Sequence, residues 1–323
     1  VIAKLAGSFW VRALLTAGVL AILAARVDVG ATAEALLRLR APHALAVLAL
    51  VALDRTVMVW RWILLLRASG VGIATRSAVW IYLVSSFVGA FLPAGVGADA
   101  ARAYTLSLRT SRGSQAVASV AIDRLLGLLS ILVMAVVGVI AAGSGTGGLT
   151  NAIVLVAAVA VGAAGFLWAD RWLRAALPDA WQQSRGGARL LRLADALSHY
   201  RGHRPALATV FLLSVAVQVL RIVQAWLLGR GIGIDVGFAY YLFFMPIGLV
   251  ALLLPISISG FGAPQAIIVW LLAPRGVPEH DALALSTLIV LTGIVANLPG
   301  AWLYLRSSPT SGTAPGATMG PAR

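Results

Sequence analysis

The sequence contains no cysteine in 323 residues. That excludes disulfides, thiolate metal sites and a cysteine nucleophile together. Charge is also scarce, at 11% of residues where a soluble globular domain carries roughly 25%. Acids are the scarcer sign, with 11 Asp and Glu against 25 Lys and Arg. Only His199 and His203 share a helical i,i+4 spacing, and their neighbours Arg201 and Arg204 suit a solvated basic loop better than a metal site. No metal or other cofactor is expected.

What the chain has instead is apolar length. Hydrophobic residues make up 60% of it and the mean hydropathy is +0.94. A helix needs about 20 apolar residues to span the hydrocarbon core. Runs of that kind lie at about 9–26, 43–66, 114–142, 150–168, 206–229 and 281–305. They predict an all-α polytopic membrane protein with six full spans in one domain over 1–306. The first run follows Lys4 without a convincing cleavage site and reads as a retained helix. The stretch 307–323, of Pro, Gly, Ser, Thr and Ala, is expected to be disordered.

Two more apolar regions are broken near their middles. In 77–109 the break carries Pro93, Gly95 and Gly97, followed by Asp99 and Arg102. In 238–274 it carries Pro255, Ser257, Ser259, Gly260 and Gly262, followed by Gln265. Non-helical backbone at membrane depth is tolerated only when packed in protein or lining a wet cavity. A helix restarting after Gly97 offers free N–H groups and a positive dipole end, which suits an anion. Asp99 and Arg102 share its face, either as a local pair at the interface or with a direct role in transport.

The net charge of +14 sits in short loops beside apolar runs, the pattern of insertion topology and anionic lipid rather than of nucleic-acid binding. Segment 169–205 carries Arg171, Arg174, Arg185, Arg189, Arg192, Arg201 and Arg204 and is placed in the cytoplasm, while the uncharged 143–151 is placed outside. Both flanks of 77–109 are basic, so it is expected to be a re-entrant hairpin from the cytoplasm. By the same signs 238–274 is a hairpin from outside, and both termini are cytoplasmic. This leaves Arg26, Arg38 and Arg40 near the outer face with Asp28 and Glu34. Within 169–205, Leu190, Leu193, Ala194 and Leu197 share one helical face bordered by Arg189 and Arg192, as expected of a basic amphipathic helix on the lipid interface. A solvated loop is the alternative.

The chain also repeats itself. "RTVMVWRW" from Arg55 parallels "RIVQAWLL" from Arg221, "SGVGI" from Ser69 parallels "RGIGI" from Arg230, and "FLPAGVG" from Phe91 parallels "LLPISISGFG" from Leu253. The units cover about 43–142 and 206–305 and are expected to be inverted. Paired Gly/Pro-interrupted segments in inverted halves point to a transporter-type binding site.

Asp54, Arg55, Arg61, Asp123, Arg124 and Arg221 fall inside apolar runs. Asp123 follows Ser114 by nine residues, about 13 Å and so near mid-bilayer. Each such charge costs at least ~2.5–3.5 kcal/mol at a helix centre unless paired or hydrated. Arg61 lies nearer its helix end and is expected to snorkel. Adjacent helical residues do not face each other, so each charge needs a partner elsewhere; Asp123 with Arg55 is one candidate pair. With Arg61 set aside, Arg55, Arg124 and Arg221 outnumber Asp54 and Asp123. Surplus guanidinium suits a phosphate, which Arg binds bidentately. Pairs that only fix helix packing are the alternative. Ser214, Gln218 and Arg221 form a polar stripe that reads either as a cavity wall or as glue between helices.

"FLPAGVGADAARAYTL", "AVASVAIDRLLGLL" and "LPISISGFGAPQAIIV" resemble the three signature regions of the lysylphosphatidylglycerol synthase transmembrane region family. The resemblance covers about 45–305 and implies a flippase-like helical bundle handling lipids. Its motifs carry over to Pro93, Gly95, Gly97, Asp99, Arg102, Asp123, Arg124, Pro255, Gly260 and Gly262. The sequence departs from it in having Gly95-Val96-Gly97 where the family often has Gly-Gly. It also has Gln265 where the family often has Glu, which removes the carboxylate an acid-dependent step would use. The stretch after the last span is expected to leave no room for a soluble aminoacyltransferase domain. The expected work is binding or translocating an anionic phospholipid or lipid-linked intermediate across a bacterial inner membrane. A lipid-synthesis enzyme is a possible partner. An integral-membrane transferase on polyprenyl-phosphate sugars and an accessory scaffold in polyprenyl-glycolipid or hopanoid synthesis are the alternatives. The transferase would need Asp99 or Asp123 as its base.

Overall fold

Proline sets the start of two long helices and glycine the end of their units' first spans. Pro42 and Pro205 lie in the first turns of Ala41–Ala68 and Arg204–Ile232, where the missing N–H is not needed. Gly70, just past the first, has φ 67°, and Gly233, at the end of the second, has φ 96°. The sequence repeat matches Gly72, not Gly70, with Gly233. The correspondence therefore lies in the order of elements and not glycine for glycine.

The computed structural model describes residues 29–90, 97–142, 184–251 and 263–306, with isolated positions between 157 and 175. Every regular element among them is helical. In chain order they are α1 (Val29–Leu37), α2 (Ala41–Ala68), α3 (Thr75–Ala90), α4 (Gly97–Ser107), α5 (Gly113–Ala142), α6 (Arg185–Arg201), α7 (Arg204–Ile232), α8 (Phe238–Ala251), α9 (Ala263–Leu272) and α10 (Glu279–Arg306). Four of these, α2, α5, α7 and α10, are long and apolar enough to cross a membrane. The expected span at 9–26, most of that at 150–168, the breaks with Pro93, Gly95, Pro255, Ser257, Ser259, Gly260 and Gly262, and 307–323 lie outside the described residues.

The element order runs long helix, two short helices, long helix, and then the same again. At 1.5 Å per residue α3 and α4 are about 24 and 16 Å long, and α8 and α9 about 21 and 15 Å, each shorter than a ~30 Å hydrocarbon core. α3 packs along α4, and α8 along α9. The first short helix of each unit also packs on the last span of the other, α3 on α10 and α8 on α5. Glycine makes both crossings possible. A Cβ on Gly138 would lie 2.0 Å from the Leu242 carbonyl oxygen, and one on Gly300 would lie 2.1 Å from that of Leu83. A third glycine, Gly89, lets α3 meet α4, since a Cβ there would sit 2.3 Å from the Ala98 Cα.

Contacts at the helix ends fix the directions. Arg112, before α5, donates to the Gly70 carbonyl after α2 at 3.0 Å, so the chain leaves α2 and begins α5 at one end of the bundle. At the other end the Arg40 N–H donates to the Gly231 carbonyl at 3.2 Å, and Arg38 pairs with Asp281. The two units therefore run in opposite directions. The first end carries Arg67, Arg76, Arg109, Arg112, Arg192 and Arg204 against Asp195. At the second, Arg38, Arg40, Arg230 and Arg275 are balanced by Glu34, Asp235, Glu279 and Asp281.

Two expectations change here. Residues 29–37, read as part of an outer loop, form helix α1, which packs on α10 and α7. The Arg38 that the loop reading left without a role caps this docking through Asp281. The apolar face of α6, expected on lipid, lies on protein. Ala196 and Tyr200 are buried with Leu65, Ile122 and Val210, and Leu193 and Leu197 pack against them. Tyr200 donates to the Leu65 carbonyl at 3.1 Å, and burial pushes its phenol above the usual range, so it remains a donor.

Candidate functional site: a buried arginine–aspartate network

The charges embedded in the long helices are organised by how those helices cross. α2 and α7 run antiparallel, so Asp54 meets Arg221 at 3.1 Å and Arg61 meets Ser214 at 2.8 Å. The equivalent stretches of the two units thus face each other. Further along, Gln218 donates to Ser130 on α5 at 3.2 Å. Ser214, Gln218 and Arg221 each reach another helix, so the stripe on α7 joins helices.

Asp123 on α5 sits between two arginines. Arg61 Nε lies 2.8 Å from its Oδ1, an ion pair in which the N–H is not aligned on the oxygen. Arg102 Nη2 lies 3.0 Å from Oδ2 and 2.8 Å from Asp99 Oδ1. The Arg102 guanidinium is also flanked by two rings, 5.0 Å from the centre of Trp62 and 4.9 Å from that of Tyr82. Trp62 in turn donates to Ser119 on α5 at 3.3 Å. Arg102 is thus held by two carboxylates and two aromatic faces, and it ties the start of α4 into the core. The local Asp99–Arg102 pair is present, but it continues inward to Asp123. The candidate pair Asp123–Arg55 does not form.

Arg61 was the residue sequence reasoning discounted. Its side chain is only 5% exposed and it does not snorkel. The signal that could have found it is spacing: Asp54 and Arg61 stand at i and i+7 on the same face of α2, opposite the polar stripe of α7.

The five arginines fall into two groups. Arg61 and Arg102 are buried and shared around Asp123. Arg124 is 39% exposed and reaches Asp99 only at 3.6 Å; Arg221 is 29% exposed. Arg55 makes no ion pair among the described residues, and its buried Nε has no hydrogen-bond partner. It lies close enough to act electrostatically on the Tyr82 phenol, as do Arg61, Arg102 and Asp123. Among the described residues, five guanidinium groups therefore face three carboxylates, Asp54, Asp99 and Asp123, which leaves two positive charges in surplus.

Of the break residues, Gly97 is described, as the buried first residue of α4. Gln265, on α9, is not brought to this network. It is buried and donates to Thr287 on α10 at 3.2 Å.

The helices and the embedded charge describe an integral, multi-pass membrane protein, and comparison with known proteins agrees. No curated protein matches the chain. Residues 9–300 match the family described as the lysylphosphatidylglycerol synthase TM region, and the chain belongs to that lipid-related, membrane-embedded family.

Proposed function

We propose that this protein binds an anionic phospholipid or lipid-linked intermediate and carries it across a bacterial inner membrane. Arg55, Arg124 and Arg221 hold the headgroup phosphate. Arg61, Arg102 and Asp123 form the rigid frame behind them. The observation that carries this reading is Arg55, a half-buried guanidinium with no counter-ion among the described residues, in a network that already has surplus positive charge. A charge left unmatched at membrane depth is costly unless hydrated or met by a ligand, and a phosphate diester supplies the missing anion.

In this reading 77–109 and 238–274 are re-entrant hairpins entering from opposite sides, with six full spans around them and both termini in the cytoplasm. Their breaks, at Pro93–Gly97 and Pro255–Gly262, form the two gates of an inverted repeat. The shortness of α3, α4, α8 and α9, and the Arg112–Gly70 contact joining the two ends of the first hairpin, support it. A lipid-synthesis enzyme supplying the cargo is the natural partner.

The test is headgroup-selective binding by purified protein. Arg55→Gln, Arg124→Gln and Arg221→Gln should each weaken binding of an anionic lipid by ten- to hundredfold, from ~1.5–3 kcal/mol for a charge-assisted contact. Binding of a zwitterionic lipid should change little. Equal losses for both lipids would overturn the reading.

A further inference from the structure

A second basic site lies outside the buried network, at the end of the bundle where α6 docks. It is a cleft of about 580 Å³ between the polar side of α6, the α2–α3 turn and the start of α5. Arg67, Arg112, Arg192, His199 and His203 line it, with Ser114 at the opening of α5. Asp195 is its one lining carboxylate, and it is already engaged with other groups.

Three features make this more than a basic surface. The first is construction. Gly70 has φ 67°, and a Cβ there would lie 2.9 Å from Arg112 Nη1, so the bare turn admits the guanidinium. Arg112 is then fixed by its bond to the Gly70 carbonyl at 3.0 Å. Arg67 is steadied from the other side by the Trp60 ring, 5.3 Å away. The second is spare capacity. Arg192 has no ion pair among the described residues, and Arg112 makes a single hydrogen bond to the turn. The third is the field of α5. This helix of 30 residues begins at the cleft and has no acidic residue in its first turn, so its positive dipole end is uncompensated. Three guanidinium groups and an open helix start converge on one cavity of ligand size.

We propose that this cleft binds a phosphate group at the bundle surface, separately from the buried arginines. Its guanidinium groups supply the forked donors that phosphate oxygens accept. Basic pockets between spans at one face of a membrane take lipid headgroups, and a soluble phosphate compound presents the same chemistry. Arg67 is six residues beyond Arg61 on α2, about 9 Å along the axis, so the cleft opens at the helix ends beyond the network.

The absence of cysteine provides a direct readout. Full-length Ser114→Cys protein is placed in nanodiscs of phosphatidylcholine or of phosphatidylglycerol, and its rate of maleimide labelling is measured with inorganic phosphate or with chloride at equal ionic strength. Labelling should slow severalfold when the cleft is filled. Slowing by phosphate in phosphatidylcholine discs identifies a soluble ligand; slowing in phosphatidylglycerol discs alone identifies the lipid headgroup. In either case Arg192→Gln, an exposed position with no partner among the described residues, should restore fast labelling. Arg55→Gln should leave the protection intact, which separates this site from the buried one. Equal rates in every condition, or protection that survives both Arg192→Gln and Arg67→Gln, would overturn the proposal.

Discussion

The Arg109 guanidinium lies over the Trp80 ring, 4.6 Å from its centre. Trp80 stands near the start of α3 and Arg109 just past the end of α4, so this contact closes the base of the segment between them. The second unit does the same with other residues. Arg275, past α9, lies 4.2 Å above Tyr240 at the start of α8, and the Tyr240 hydroxyl donates to the Leu271 carbonyl. The two closures are equivalent in position and lie at opposite ends of the bundle.

The closures predict sidedness. Single cysteines at Arg67 and Ser111 should be reached by a membrane-impermeant thiol reagent from the same side, and a cysteine at Asp235 only from the other. Labelling of the Arg67 and Ser111 positions from opposite sides would rule out a first segment that returns to the side it left.

Removing one closure should loosen its own segment alone. An exposed cation–π contact is worth ~0.5–1 kcal/mol. Arg109→Gln should lower thermal stability in detergent by about that much and speed proteolysis or hydrogen exchange within 75–107. Arg275→Gln should have a smaller effect on 238–272, because the Tyr240–Leu271 hydrogen bond remains. Matched losses in both segments from either variant would show that the contacts act globally and not as local closures.

The glycines give a prediction of sign. In an open helical position Gly→Ala stabilises by up to ~1 kcal/mol. Gly293 on α10 has nothing within 4 Å of its Cβ direction, so Gly293→Ala should raise the melting temperature. On the same helix a Cβ on Gly300 would strike the Leu83 carbonyl, and on α5 one on Gly138 would strike that of Leu242. Backbone cannot yield as a side chain can, so Gly138→Ala and Gly300→Ala should each destabilise by ~1–3 kcal/mol or more. A rise in melting temperature for all three would contradict the α3–α10 and α5–α8 crossings.

Apolar length alone made the four long helices legible, because a membrane span states itself in composition. The like order of long and short helices in 41–142 and 204–306 was legible too, but a glycine-to-glycine match was not, since a left-handed helix end can be supplied by either of two nearby glycines. Spacing also pointed to the α7 stripe. Which arginine Asp123 would choose was hidden, because that depends on the crossing of α2, α4 and α5. The choice of Arg61 and Arg102 over Arg55 is a tertiary fact. α1 was missed for a related reason: its nine residues have little pattern of their own, and their helix is supported by docking on α10 and α7.

The two groups of arginines should separate experimentally into stability and ligand binding. Asp123 compensates both buried guanidinium groups. Asp123→Asn leaves Arg61 with Ser214 and Arg102 with Asp99 and two rings, but no full counter-charge for the pair. Breaking a buried ion pair costs about 3–5 kcal/mol in soluble proteins and less in a bilayer, where the unfolded reference also finds partners. The melting temperature of Asp123→Asn should therefore fall well below that of Arg124→Gln, whose 3.6 Å contact and exposure place it in the ~0–1 kcal/mol class. Adding Arg61→Gln or Arg102→Gln to Asp123→Asn should recover part of the loss, because an uncompensated buried cation is removed. Lipid selectivity should follow the opposite order, falling in Arg55→Gln and Arg124→Gln while their stability stays near wild type; Arg221→Gln should lose selectivity together with some stability, because it leaves the buried Asp54 carboxylate unpaired. If Arg124→Gln destabilises as much as Asp123→Asn, is rescued by Asp99→Asn and leaves headgroup selectivity unchanged, all five arginines serve packing and the phosphate site is lost.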